Sequence, residues 1–316
     1  MQDTNQLILP TRVPNTWRSL LVLVGFILVG MSVGNILAVL ILAKIFGGGP
    51  GMEGMEIVTT LIHAPQDVPN GWYGLLLLQA TAHVFTYLLP PLLYWHYIER
   101  RNLTDFQTRR GTPVALWGLT LLAVLAFMPL NSLIIEWNQG MTLPDALSGV
   151  EQWMRSQEDQ LARLTEFMTV FSTPAQFVVA MVVIGILPAI GEEVLFRGVL
   201  QRKLIEHWVN PHLAIWVAAA LFSAIHMQFY GFLPRLLLGA LFGYLYYWSG
   251  SLLIAIFAHF VNNGIMVLML YLYQRKLVDY NIEDNTSVPW SAALVSLVVT
   301  AGLLYSFWQR RRNPVA

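Results

Sequence analysis

Two adjacent glutamates stand where few charges belong. The stretch "GEEVLFRG", residues 191–198, closes a charge-free run of twenty-five residues that begins at Phe167. Ionisable groups in or beside hydrocarbon are expensive unless they are paired, hydrated or used. Glu192 and Glu193 are consecutive, so on a helix they point about 100° apart and need not share a task. Arg197 follows Glu193 by four residues, the spacing at which a helix brings two side chains together. That pairing gives Glu193 a structural partner and leaves Glu192 free to face elsewhere. Two later apolar runs carry groups that can meet it: His226 in "FSAIHMQ", and His259 with Asn263 in "AHFVNNG". His259 and Asn263 are also four apart and share a helix face. A carboxylate among imidazoles can activate water, relay protons or hold a metal ion.

Elsewhere the composition removes alternatives. Of 316 residues 56% are hydrophobic and 11% charged, and mean hydropathy is +0.57. A soluble domain is nearer one-quarter charged, so lipid is the solvent for most of this chain. The net charge of zero gives no sign of a nucleic-acid partner, and the absence of cysteine removes thiolate chemistry and disulfides. A single membrane histidine is more often an interhelical hydrogen-bond partner than a catalyst. His83 is read that way, and His63, His96, His207 and His212 as loop or interface residues. Two glutamates, two histidines and an asparagine on neighbouring spans are harder to explain as separate accidents.

Charge-free runs place about eight spanning helices, each with the roughly 20 residues that a bilayer requires. They fall near Leu20–Ala43 and Gly74–Trp95, between Arg110 and Glu136, between Glu166 and Glu192, and near Leu213–Phe229. Two more share the run from Leu236 to Gln274, broken at Ser249-Gly250-Ser251, and the last lies between Asp284 and Arg310. Pro90 and Pro91 are expected to kink or end the second. The runs lack period-two alternation, so the fold class is all-α and polytopic.

Arg12 and Arg18 precede the first span; Arg100, Arg101, Arg109 and Arg110 follow the second; Arg197, Arg202 and Lys203 follow the fourth; Arg310, Arg311 and Arg312 follow the eighth. The first loop carries Glu53, Glu56 and Asp67 instead, and the third is acidic. By the positive-inside rule both termini are expected in the cytoplasm, in a multi-pass protein of the cell membrane, with Glu192 at the cytoplasmic end of its span. The eighteen mostly polar residues before the first span do not read as a cleavable signal. Leu147, Val150, Met154, Leu161, Leu164 and Met168 recur at helical spacing in the connection 136–172. Its polar face is acidic where lipid-binding helices are basic, so it is expected to be a solvated helical connection.

On three successive helices the chain reads Glu192-Glu193-Val-Leu-Phe-Arg197, Phe222-Ser-Ala-Ile-His226 and His259-Phe-Val-Asn-Asn263. This order, EExxxR, FxxxH and HxxxN, resembles the CPBP family of CAAX protease and bacteriocin-processing ("Abi") intramembrane proteases, which includes the type 2 CAAX prenyl endopeptidases. The resemblance covers about residues 175–272. It implies an endopeptidase core at 173–273 with four spans, after an N-terminal region at 1–172 with three spans and before a span and basic tail at 274–316. It also implies a membrane-associated, lipidated or bacteriocin-like peptide substrate beside membrane lipid. Glu192, His226, His259 and Asn263 are then the catalytic set, with Glu193, Arg197 and Phe222 in support.

Two mechanisms fit these residues. In the favoured one no cofactor is needed: Glu192 and His226 bind a water, Glu192 takes its proton, and His259 and Asn263 donate to the oxyanion. In the other, Glu192, His226 and His259 ligate zinc, which lowers the pKa of its water. Outside proteolysis, the same groups can serve a proton-coupled transporter, or persist in a non-catalytic immunity or scaffold protein. Against transport, no internal repeat is visible.

Overall fold

The computed structural model describes residues 16–46, 54–108, 111–208, 210–279 and 288–310. Among these residues there are helices and short turns but no strand. Seven helices are long and apolar enough to cross a membrane. They lie on the charge-free runs, because in lipid a helix satisfies its own backbone, although several boundaries differ. The first are α1 (Thr16–Phe46), the short α2 (Gly54–His63), α3 (Gly71–Ile98) and α4 (Val114–Gln139). Then come α5 (Ser148–Met168), α6 (Pro174–Trp208) and α7 (Pro211–Ala224). The last are α8 (Phe232–Ser249), α9 (Leu252–Gln274) and α10 (Trp290–Arg310). The break expected at Ser249-Gly250-Ser251 is a left-handed cap at Gly250, with φ of 67°, a conformation that glycine adopts without penalty.

Helix α6 is the axis of the molecule. It packs against α3, α7, α8 and α9, while α4 packs against α8, α9 and α10. Every residue from Gly191 to Val199 is buried. The span was expected to stop near Glu192; instead the helix is 35 residues long and runs on to Trp208. The charges that marked the end are paired inside the protein rather than solvated. Lys203 Nζ donates to Glu99 Oε1 at 2.8 Å, and Arg101 grips Glu206 with two bonds of 2.7 and 3.1 Å. Glu99 also accepts from the hydroxyls of Ser19 and Tyr94. Partners from α1, from α3 and from the turn after it thus hold the far end of α6.

Three other expectations change. The fifth span was placed to Phe229, but α7 has only 14 residues and ends at Ala224, about 21 Å of helix. The chain then turns through His226 and Met227, the latter with φ of 52°. Of the two outcomes expected at Pro90 and Pro91, the helix does not end there: α3 continues through them, with wider i→i+5 turns at Val84–Leu88, just before the prolines, and at Tyr94–Ile98, after them. Helix α5 is not a free solvated connection. Trp72 donates to the carbonyl of Met168 at 3.1 Å, Glu158 accepts from the backbone N–H of Tyr230 at 3.0 Å, and the ring of Trp153 lies tilted against Phe229 at 5.5 Å. Its half-buried face rests on the protein. Arg12, Glu53, Arg109, Arg110, Arg311 and Arg312, used above for orientation, lie outside the described residues.

Candidate active site

Glu192 and Glu193 sit near the middle of α6, between two stretches of wider i→i+5 turns at Met181–Ile186 and Val194–Gln201. Such turns are rare and gather at functional sites. The two carboxylates face different neighbours. Glu193 is fully buried and its Oε1 accepts from Arg197 at 2.6 Å and from His259 Nδ1 at 2.8 Å. Arg197 continues to the carbonyl of Gly239 at 2.9 Å, and Gln201, one turn on, to that of Gly243 at 3.1 Å. A Cβ on Gly243 would lie 2.7 Å from Gln201 Oε1, and one on Gly239 3.1 Å from Ala219 Cβ. Glycine at both positions therefore opens α8's backbone to side chains of α6 and lets α7 approach. The guanidinium also stacks over Phe222 at 4.6 Å, a cation–π contact strengthened by burial.

Glu192 faces the other way. Its Oε1 lies 3.1 Å from His83 Nε2 on α3, and its Oε2 lies 3.8 Å from His259 Nε2 on α9. His83 Nδ1 is 3.1 Å from the carbonyl of Gln79. A carbonyl only accepts, so Nδ1 carries a hydrogen, and Nε2 shares a proton with the carboxylate. The same logic orients the other imidazoles. His259 Nδ1–H donates to Glu193, which turns Nε2 toward Glu192, and Phe242 stacks on the ring at 5.2 Å and 23°. His226 Nδ1–H donates to the carbonyl of Phe222 at 2.8 Å, leaving Nε2 open; the rings of Phe222 and His226 meet edge-on at 5.0 Å. Asn263 donates one amide hydrogen to the carbonyl of Ile184 at 3.3 Å and accepts from Asn262 at 3.1 Å, so one N–H remains.

Glu192, His226, His259 and Asn263 line one cavity of about 590 Å³. It also receives groups that the sequence did not single out as part of a site. Gln79, His83 and Tyr87 on α3 line it, as do Asn131 on α4, Glu158 on α5 and Arg235 on α8. His83 was read as an interhelical hydrogen-bond partner. It is one, but its partner is Glu192. Polar groups at 79, 83 and 87 recur every four residues along one face of an apolar span, and that stripe was a readable signal. Arg235 was not singled out by the sequence.

The set considered for zinc is Glu192, His226 and His259. Glu192 Oε1 is engaged by His83 and His259 Nδ1 by Glu193, and among the described residues no three His, Cys, Asp or Glu side chains gather as a metal-binding group. As placed, the side chains do not form a ligand set, and no step below is routed through a metal.

Comparison with known proteins returns to the same stretch. Residues 174–265 match the family described as "Type II CAAX prenyl endopeptidase Rce1-like". An "Uncharacterized protein YpbD" of Bacillus subtilis (strain 168) is 29% identical over 106 residues, 32% of this chain. The chain spans about half, 51%, of that protein's length. No solved structure gives a significant match. The seven apolar helices and this match together make the chain a multi-pass membrane protein. Residues 174–265, which carry Glu192, Glu193, Arg197, His226, His259 and Asn263, are the part of the chain that is similar to the Rce1-like type II CAAX prenyl endopeptidases.

Proposed function

We propose that this protein is an intramembrane endopeptidase that hydrolyses a peptide bond in a membrane-associated, lipidated or bacteriocin-like substrate, using water activated by Glu192. The observation that carries this is a buried carboxylate at the wall of a large cavity, with His83 and His259 turned toward it and His226 on the same wall. With the shared proton on His83, Glu192 Oε2 is left as the base. A water accepted between Oε2 and the open Nε2 of His226 gives its proton to Glu192 as its oxygen attacks the carbonyl carbon. The tetrahedral oxyanion is met by the remaining N–H of Asn263 and by His259 protonated at Nε2, held in register through Glu193. Glu192 then passes the proton to the leaving nitrogen as the C–N bond breaks.

The test is reconstitution of the purified protein with a library of lipidated peptides, comparing wild type with Glu192→Gln. Cleavage products from wild type alone are expected. No product from any peptide, with the protein folded, counts against proteolysis and in favour of transport or scaffolding. We place both termini in the cytoplasm, which requires α7 to cross with the seven longer helices. In this cysteine-free chain, Thr104→Cys and Val150→Cys are expected to label from opposite sides in intact cells. Labelling from one side removes this topology.

A further inference from the structure

The cavity holds one guanidinium that the catalytic scheme does not use. Arg235 lines the wall formed by Gln228, Gly231 and Pro234, in the same cavity as Glu192 and His226. Its Nη1 donates to the carbonyl of Gln228 at 3.1 Å, and its Nη2 to the side-chain oxygen of the same residue. These two bonds pin the head of the side chain and use two of its five N–H donors. Gly231 makes room for it: a Cβ there would fall 2.7 Å from Nη1 and 2.8 Å from Cζ. Among the described residues no carboxylate lies within 4 Å of its nitrogens, whereas Arg155 on α5 and Arg197 and Arg202 on α6 each have one. Glu158 on α5 also lines the cavity, and its Oε2 accepts from the backbone N–H of Tyr230 at 3.0 Å. Glu158 and Glu192 share the cavity and balance part of its charge from beyond ion-pair distance, so the pinned guanidinium keeps N–H groups that no carboxylate of the chain meets directly.

We propose that Arg235 is the residue that binds a carboxylate of the peptide substrate, either its C-terminal carboxylate or an acidic side chain near the scissile bond. The remaining N–H groups of a planar guanidinium match a carboxylate fork, which adds geometry to charge. Binding there sets which peptide bond lies over Glu192. Arg235 thereby selects substrate and register, while Glu192 and the histidines supply the chemistry. This assignment rests on the peptidase function proposed above.

The experiment uses the full-length protein with two matched sets of lipidated peptides, one ending in a free carboxylate and one in an amide, each with and without Asp or Glu in its last residues. Hydrolysis is followed for wild type, Arg235→Gln and Arg235→Lys, and equilibrium binding of the same peptides is measured on Glu192→Gln with and without Arg235→Gln. For a C-terminal partner, Arg235→Gln raises KM or Kd for free-acid peptides tenfold or more, leaves kcat within a few fold, and does not alter the amides. For an acidic side chain, the loss follows Asp or Glu and ignores amidation. Arg235→Lys restores part of the loss in either case. An equal effect on all peptides, or none, overturns the assignment while leaving the peptidase intact. Absence of both binding and cleavage in wild type overturns the peptidase function itself, and this inference with it.

Discussion

Helix α6 carries two clusters of buried charge, separated by about 16 Å along its axis. In the first, around Lys203 and Glu206, every charged group has an opposite partner: Lys203 with Glu99, and Arg101 and Arg202 with Glu206. The indole of Trp95 lies beneath both arginines, at 4.8 and 5.3 Å. In the second, around Glu192, the groups face a cavity. His226 keeps an open ring nitrogen, Asn263 an unused N–H, and Arg235 has no carboxylate in reach. Both clusters carry the same residue types on the same helix. Charge alone therefore does not mark a site; the difference is whether the groups satisfy one another or leave capacity facing an enclosed space. Glu193 and Arg197 lie between the two, satisfied like the first cluster yet touching the second through His259.

The comparison breaks most sharply at Glu192. Glu192→Gln keeps the shape and the hydrogen bond to His83 but removes the base. General acid–base groups contribute about 10²–10⁴ in rate, and turnover is expected to fall by at least that much. Because the amide keeps a hydrogen bond to His83, the variant is expected to stay folded in detergent, which the thermal midpoint checks. Near-normal turnover in a folded Glu192→Gln protein would falsify its role as base.

Lys203→Met inverts this pattern. It leaves Glu99 buried without its cation, and removing one partner of a buried pair typically costs about 3–5 kcal/mol. A clear fall in the thermal midpoint is expected, with turnover per folded molecule close to wild type, since Lys203 does not line the cavity. Lost turnover at unchanged stability would mean that the two clusters are coupled. Arg197→Ala sharpens the boundary, because Glu193 is both a salt-bridge partner and the group that orients His259. It is expected to lose stability and turnover together, whereas a stable and active variant would free Glu193 for another task.

The same contrast explains what the sequence disclosed. Charge-free runs located the long helices because lipid admits few alternatives. Glu192, His226, His259 and Asn263 stood out by type and spacing, and the structure brings them to one cavity. The reach of α6 beyond Glu192 was hidden: Arg202, Lys203 and Glu206 look like a solvated span end unless one knows that Glu99 and Arg101, about a hundred residues earlier, pair with them. His83 was legible as part of a polar stripe with Gln79 and Tyr87, but its partner was not. A lone histidine in a span has an ordinary explanation, and only its neighbour across the helix interface shows which hydrogen bond it makes. The amphipathic face of α5 was legible, but what it covers was not, because that surface is built from α3 and from the turn between α7 and α8.

Asn263→Ala tests the oxyanion side of the open cluster. Loss of one such donor lowers the rate by about 10²–10³ where it has been measured. The expected result is a loss of that size in kcat with KM nearly constant, because the contact forms in the transition state. Asn263 also bonds the carbonyl of Ile184, so the thermal midpoint must be read beside the rate. A large fall in both would recast Asn263 as a structural tie between α6 and α9.

The smallest expected effect is also the one that separates the two mechanisms. If Glu192 and His226 activate water unaided, exhaustive chelation leaves turnover unchanged and the purified protein carries less than one zinc per chain. If zinc is required, Glu192, His226 and His259 would be the residues to hold it, and the ion would supply the activation of water that the first mechanism assigns to the carboxylate. Chelation then abolishes activity, and zinc restores it. The two cases also differ at His83. Without a metal, His83 holds the proton that keeps Glu192 ionised, so His83→Gln is expected to slow turnover in the chelated enzyme. With a metal, the ion itself keeps the carboxylate ionised, and His83→Gln is expected to change activity little once zinc is saturating. One equivalent of zinc, reversible loss on chelation and a nearly silent His83→Gln would together overturn the metal-free mechanism in favour of the zinc-assisted one.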